Sequence, residues 1–240
     1  VLKGIRENKN IFVEKPICRY ETELEEIISA YSANKAPIMI GFNRRFSPSI
    51  KAVKKELGSG RMAMLYRINA GSIPSNSWIQ DLSLGGGRIV GEVCHFVDLL
   101  TFVNGSLPIK ISAMCMPDNN GCNDTLNISL KFKNGSIGTI AYYANGSSKL
   151  SKEYLEIHSG GQTAIIDDFK TLKIFKGGKV ETKKLFNQNK GQKEMMSTFL
   201  SSLLTTGESP IAIEEIFAVT NATFQIINSL NNGSETVRLN

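Results

Sequence analysis

Residues 10–42 read as strand, helix, strand with short connections, a pattern with few folded solutions. Asn10 to Val13 is a short apolar run suited to a buried strand. Leu24, Ile27, Ile28 and Tyr31 follow at i, i+3, i+4 and i+7, one stripe of an amphipathic helix. Thr22 and Glu25 have capping-box spacing at its start. Pro37 to Phe42 is a second apolar run of strand length. Two buried strands joined by a helix form the βαβ unit of a parallel sheet. Val1 to Glu7 reads as the end of a preceding helix. The lack of an initiator Met hints that the chain begins mid-protein. Residues 1–41 are therefore expected to be the last part of a parallel α/β domain.

The pattern then changes. Ser47-Pro48 suits the cap and first position of a helix, Ile50, Val53 and Leu57 make its stripe, and Gly58 suits its end. That helix is expected to pack back on the first unit. Met62, Met64, Tyr66 and Ile68 alternate as in a half-buried strand. Arg88 to Val103 is a helix apolar nearly all round, hence buried. Leu126, Ile128, Leu130 and Phe132 alternate with polar residues, and Asn134-Gly135 is a two-residue hairpin signal before Ile137 to Tyr143. Further strands are expected near 153–158, 163–167, 171–176 and 179–185, the last pair joined by Gly177-Gly178. Two helices follow, one carrying Met195, Phe199 and Leu203, the other Ile213, Ile216, Phe224 and Ile227. A short strand near 235–239 closes the chain. Residues 42–240 are thus expected to form an α+β domain whose large, mostly antiparallel open sheet is covered on one face by helices.

Composition narrows the function classes. The chain has 240 residues, 41% hydrophobic and 21% charged, ordinary for a globular protein. No apolar run approaches the ~18 residues a transmembrane helix needs, so no membrane partner is expected. The net charge of +6 is scattered, and groups such as Lys183-Lys184 match no nucleic-acid motif. Cys18, Cys94, Cys115 and Cys122 form no Cys-x-x-Cys pair, so neither a zinc site nor a disulfide framework is indicated. Reduced thiols in a cytoplasm are the expectation.

Three segments could carry chemistry. Glu14-Lys15-Pro16 directly follows a parallel strand, and ligands bind outside the carboxyl ends of such strands. The plainer alternative is a surface lysine in a proline-terminated turn. Gly41-Phe42-Asn43-Arg44-Arg45-Phe46 follows the next strand and reaches the same crevice, with an amide and two planar donor forks. The alternative there is one buried and one solvated arginine at a helix start. Gly85-Gly86-Gly87 precedes the buried helix, which carries Glu92, His95 and Asp98 at i, i+3 and i+6. The flanking acids are expected to fix the tautomer of His95 and raise its pKa for acid–base work. A structural core histidine is the alternative. Gly58-Ser-Gly60-Arg-Met-Ala63 fits a loose dinucleotide fingerprint but lies between helix and strand, the reverse of the required order. His158, at a strand end, is read as structural.

Glu14-Lys15-Pro16, GFNRRF at 41–46 and GGGRIVGEVCHFVD at 85–98, in this order, resemble the Gfo/Idh/MocA oxidoreductases. The likeness extends over the whole chain. It implies that residues 1–41 are the end of a Rossmann domain and that 42–240 bind substrate and oligomerise. It also implies hydride transfer between NAD or NADP and a carbinol carbon of a sugar, cyclic polyol or nucleotide-linked sugar. Lys15 would hydrogen-bond the reacting oxygen, and His95 would move the hydroxyl proton, assisted by Glu92. Glu14 and Pro16 would shape the turn against the cofactor, often with a cis bond before the proline. Asn43 would face the nicotinamide, and Arg44, Arg45 and Asp98 the substrate. No metal is implied, and a homodimer or tetramer through the open sheet face is.

Two departures qualify this. The family's acid four positions before the histidine is Gly91 here, with Glu92 about 100° further round the helix. The family's phosphate-binding loop is absent from the chain and would lie upstream of Val1. The chain by itself is therefore expected to bind NAD(P) poorly and to be inactive, the parent protein being the enzyme. A non-catalytic module that binds or oligomerises through its sheet is the competing expectation.

Overall fold

The computed structural model describes residues 1–74, 76–78, 80, 86–118 and 121–239. Helix α1 (Leu2–Arg6), β1 (Ile11–Val13), α2 (Glu21–Ala33) and β2 (Ile38–Ile40) form the first unit. β1 and β2 pair in parallel, Phe12 opposite Met39, as the strand–helix–strand pattern requires. The acid that caps α2 is Glu23, not Glu25. Its carboxylate accepts the backbone N–H of Arg19 at 2.8 Å and of Tyr20 at 3.3 Å.

After a 3-10 turn (Asn43–Phe46) comes α3 (Pro48–Leu57). Ser47 stands at its cap position, but its hydroxyl donates to the Asn189 carbonyl instead. Gly58 ends α3 at φ +65°, a conformation that favours glycine. α3 packs on the sheet, on the 3-10 turn that follows β2 and on the buried helix.

Nine strands form one sheet in the order β10-β9-β8-β7-β3-β6-β5-β4-β11. They are β3 (Ala63–Asn69), β4 (Pro108–Cys115), β5 (Leu126–Phe132), β6 (Ile137–Tyr143), β7 (Glu153–Ser159), β8 (Gln162–Asp167), β9 (Thr171–Lys176), β10 (Lys179–Lys184) and β11 (Val237–Arg238). Every neighbouring pair is antiparallel except β3 and β6. β4 has no counterpart among the strands expected from sequence, although Ile109, Ile111 and Ala113 alternate with Lys110 and Ser112. The β5–β6 turn also differs from expectation. Phe132 N–H bonds to the Ser136 carbonyl and only Gly135 is left-handed, which makes a three-residue loop. Gly177 and Gly178, both at positive φ, do make a two-residue turn between β9 and β10.

One face of the sheet packs on helices. Leu126, Ile128, Leu130 and Phe132 of β5 are buried while the residues between them are exposed. The covering helices are α3, the buried α4 (Cys94–Asn104) and the long α6 (Ile213–Asn231). α5 (Gln192–Thr205) packs on the 3-10 turn. α6 also touches α2, so a single core runs from Ile5 in the first unit to Ile226 near the end. Cys18 and Cys94 lie in it, and burial pushes both thiols up to about 12, with Glu23 adding to the rise at Cys18. No disulfide forms among the four cysteines, and the Cys122 thiol donates to the Gln80 carbonyl at 3.3 Å.

Candidate active site

Each of the three segments flagged in the sequence reaches one place. β1 ends at Val13, and the chain turns through Glu14 and a cis Lys15–Pro16 peptide. A Cβ on Gly41 would lie 2.5 Å from a Glu14 carboxylate oxygen, so glycine at the end of β2 lets that side chain close over it. The half-buried Lys15 ammonium donates to the Gly91 carbonyl. Gly91 lies in a π-helical segment, Ile89–Val93, that leads into α4. Such single-turn widenings interrupt the α-helical bonding register and occur often at functional sites. Here the backbone carbonyl of Gly91, not a side-chain acid, receives the lysine.

His95 follows in the first turn of α4, 9% exposed. Its ring meets Phe42, at the end of β2, edge-on with centroids 6.0 Å apart. Nδ1 is buried without a hydrogen-bond partner. The expectation that Glu92 and Asp98 raise its pKa is overturned. Burial disfavours the imidazolium first, and the charges of Arg44, Lys15, Lys152 and Lys190 add to it, so the pKa lies well below 6.5. The two acids are engaged elsewhere. Glu92 accepts from the Tyr142 hydroxyl at 2.9 Å and lies 3.8 Å from Arg88 and 3.7 Å from Lys152. Asp98, fully buried, takes both prongs of the Arg45 guanidinium.

The other flagged residues hold the site together. Arg45 also bonds Glu215 of α6 at 2.8 Å and lies over the Phe102 ring. Arg44 forms a two-pronged pair with Glu153 at 2.8 and 2.9 Å. Asn43 donates to the Lys190 carbonyl at 2.8 Å. Gly191, at φ +85°, fits against the backbone of this turn, where any Cβ would come within 2.5 Å of Ser47 N. Thus the direct partners of Arg44, Arg45, Asp98 and Asn43 are protein groups. Gly86 and Gly87 are left-handed, and Gly85 lies outside the described residues. His158 is half-exposed and bonds Glu156 and Thr163.

Sequence reasoning missed Glu153, Lys152 and Lys190. Glu153 accepts from Arg44, from the Tyr66 hydroxyl and from Lys190 at 2.6 Å. Burial alone would raise its carboxyl, but these bonds hold it at about 2. A signal for it existed: Glu153 shares the inward phase of β7 with Leu155 and Ile157. Nothing comparable marks the two lysines. Among the described residues no cluster of His, Cys, Asp or Glu could hold a metal ion, and no helix is long and apolar enough to cross a membrane.

A parallel βαβ end joined to a large open sheet, with a lysine bonded to the helical turn that leads to a buried histidine, defines a two-part α/β and α+β architecture. Residues 53–159 match the family model of the GFO/IDH/MocA C-terminal domain. An inositol 2-dehydrogenase of Rhizobium meliloti is 32% identical over 109 residues, 45% of this chain and 33% of that protein. The oxidoreductase domain protein of Kribbella flavida superposes with a TM-score of 0.84 at 15% identity, over 100% of this chain and 76% of that one. A UDP-N-acetylglucosamine 3-dehydrogenase of Acidithiobacillus ferrooxidans does so with a TM-score of 0.79 at 17% identity, over 97% and 74%. Residues 53–159 are thus similar to the C-terminal domain of the Gfo/Idh/MocA family, and the chain shares the fold of these solved structures. It spans a third of the curated relative's length and about three quarters of the structural neighbours.

Proposed function

We propose that the whole protein transfers hydride between NAD or NADP and a carbinol carbon of a sugar, cyclic polyol or nucleotide-linked sugar. The observation that carries this reading is a neutral, buried His95 with an unpaired ring nitrogen, close to Lys15 at the carboxyl end of a parallel strand. A nicotinamide, when bound, supplies the hydride acceptor. The chain's own residues do the rest. Lys15 uses one N–H on Gly91 and keeps two for the substrate oxygen, where it stabilises developing negative charge. His95, unprotonated at neutral pH, accepts the hydroxyl proton. In the reverse direction the same ring returns it. Residues 58–63 supply no phosphate grip, because they close α3 and lead into β3.

The proton step makes the protonation of His95 the test. The chain has two histidines, so their imidazole signals can be followed separately by NMR. The His95 signal is expected to stay in its neutral form as pH falls through 6.5. Titration at or above 6.5 would show that burial and the surrounding cations do not set the protonation of His95. The sign also bears on stability. Burial of neutral His95 means the unfolded chain binds the extra proton first, so stability falls as pH drops below about 6.5.

A second role is proposed for the uncovered sheet face. Leu65, Met114 and Ile137 stand outward on β3, β4 and β6 with 41%, 66% and 56% of their surface exposed. Leu65 and Ile137, on the neighbouring strands β3 and β6, favour closure against a second copy, with Met114 two strands from β6 across β5. Light scattering is expected to give a dimer or tetramer, and Ile137→Lys to shift it towards monomer. A monomer at about 100 μM with the native sequence excludes this face as the assembly surface.

A further inference from the structure

The Lys15 ammonium hangs on one atom. Among the described residues the Gly91 carbonyl is the only group it bonds. A lysine head sits on a flexible four-carbon stem, so the place of that carbonyl decides where the two remaining N–H groups point. Gly91 belongs to the π-helical turn Ile89–Val93. Such a turn departs from the α-helical bonding that otherwise fixes a helix carbonyl. Its position therefore has to be set from outside the helix.

Arg88, the residue before the turn, does this. Its side chain is buried, yet its nearest carboxylates, Glu92 at 3.8 Å and Asp124 at 3.9 Å, are too far for hydrogen bonds. The guanidinium instead donates to the carbonyls of Gly71 at 2.7 Å and Ala70 at 3.1 Å, just past the end of β3. It also lies over the Tyr142 ring of β6, 5.3 Å from the centroid. Tyr142 anchors the other end of the turn as well, because its hydroxyl donates to Glu92 at 2.9 Å. β3 and β6 pair side by side, and the Ala70 N–H bonds the Tyr143 carbonyl at 2.8 Å, so both anchors belong to one frame. Arg88 and Glu92 thus pin the turn on either side of Gly91. Arg88 Nε is buried with no partner among the described residues. A buried guanidinium that is neither tightly paired nor fully bonded is a poor source of stability. Its forked donors suit another task, fixing one backbone segment against another.

We propose that Arg88 is a positioning residue for Lys15: it holds the π-helical turn so that the Gly91 carbonyl presents the ammonium to the reacting oxygen. The tie between Arg88 and Lys15 exists in the resting chain and needs no reaction. Its effect on turnover rests on the dehydrogenase reading above. A displacement of about 1 Å at a reacting group can cost about a hundredfold in rate. Loss of Arg88 is therefore expected to lower kcat by about ten- to a hundredfold, no more than loss of Lys15 itself, and to leave the KM for the nicotinamide cofactor unchanged.

Two measurements test this. The first is reductive methylation of this chain with isotope-labelled formaldehyde, followed by NMR, with the Lys15 signal identified by its absence from Lys15→Met. An ammonium held on a carbonyl reacts only when that bond opens. Arg88→Met is expected to speed methylation of Lys15 about fivefold and to leave the exposed lysines of β10 unchanged. The second is a double-mutant cycle on turnover by the whole protein, with myo-inositol and glucose as probe substrates and absorbance of reduced nicotinamide as the readout. Arg88→Met is expected to lower kcat in the native background and to add less than about twofold in the Lys15→Met background, because its effect passes through the lysine. A merely structural loss would multiply equally in both. Arg88→Lys keeps the charge but lacks the fork, so it is expected to act in the same direction by about threefold, and it carries both measurements if Arg88→Met does not fold. Unchanged methylation of Lys15, or an equal loss of turnover with and without Lys15, overturns the positioning role. If Lys15→Met leaves turnover intact, the dehydrogenase reading fails, while the tie between Arg88 and Lys15 is still decided by methylation. Methylation also decides alone if neither probe is turned over.

Discussion

Glu153→Ala is expected to lower the unfolding free energy by about 3–5 kcal/mol, the usual loss when one partner of a buried ion pair is removed. The reason lies in what remains. Arg44 would keep a buried guanidinium with no carboxylate, and Tyr66 would lose the acceptor of its buried hydroxyl. Lys190 would lose its only ion pair among the described residues. Urea unfolding measures this as a lower midpoint at unchanged slope. The pH dependence supplies a second readout. The Glu153 carboxyl is held at about 2 in the fold against an ordinary 4.5. Its contribution is complete above pH 4.5 and is lost as pH falls from there towards 2. The variant should therefore lack that part of the acid unfolding limb. A loss under about 1 kcal/mol would mean that Arg44 finds water or another acid, and that this cluster does not anchor β7 to the 3-10 turn.

The second large effect concerns turnover by the whole protein. Lys15→Ala is expected to lower kcat by about 10²–10³, the usual loss for one donor to a developing oxyanion. His95→Ala is expected to lower it by about 10²–10⁴, the range for a general base. Absorbance of reduced nicotinamide with sugar or polyol substrates reads both. Circular dichroism checks that each variant is folded, as expected for a half-buried lysine and for a histidine whose Nδ1 has no partner to lose. If either variant keeps more than about a tenth of the native turnover, that residue is not in the chemical step.

The two residues central to this prediction were legible because each stands beside a strong local pattern. Lys15 follows a three-residue apolar strand and precedes proline, so its place at a strand end could be read from neighbours alone. His95 is a polar residue in a mostly apolar helix. Their electrostatic setting was not legible. Spacing put Glu92 and Asp98 on either side of His95, and that neighbourhood suggested a raised pKa. The acids instead pair with Tyr142, Arg88 and Arg45, while cations from residues 15, 44, 152 and 190 surround the ring. Those partners are remote in sequence, and no periodicity announces them. Arg44 and Arg45 show the same limit. Sequence placed both at a helix start, but only the fold shows that one is anchored on β7 and the other on α4 and α6. The π-helical turn was also unreadable, since a one-residue change of helical register leaves the apolar pattern of residues 88–103 intact. The strand at 108–115 was missed for a different reason. It opens on a proline, and its small residues, Ser112 and Ala113, weaken an alternation that is present.

The pairing of Arg45 with Glu215 spans 170 residues. Asn43 likewise waits for the carbonyl of Lys190, 147 residues on. On a ribosome, the loop that follows β2 stays without these partners until a further 147 to 170 residues have been made. A nascent chain that stops within the sheet can thus hold Lys15 and His95 in covalent order while lacking the scaffold that positions the loop between them. Premature termination anywhere before α6 leaves Arg45 without the Glu215 half of its pairing, so an unfinished copy lacks a completed site.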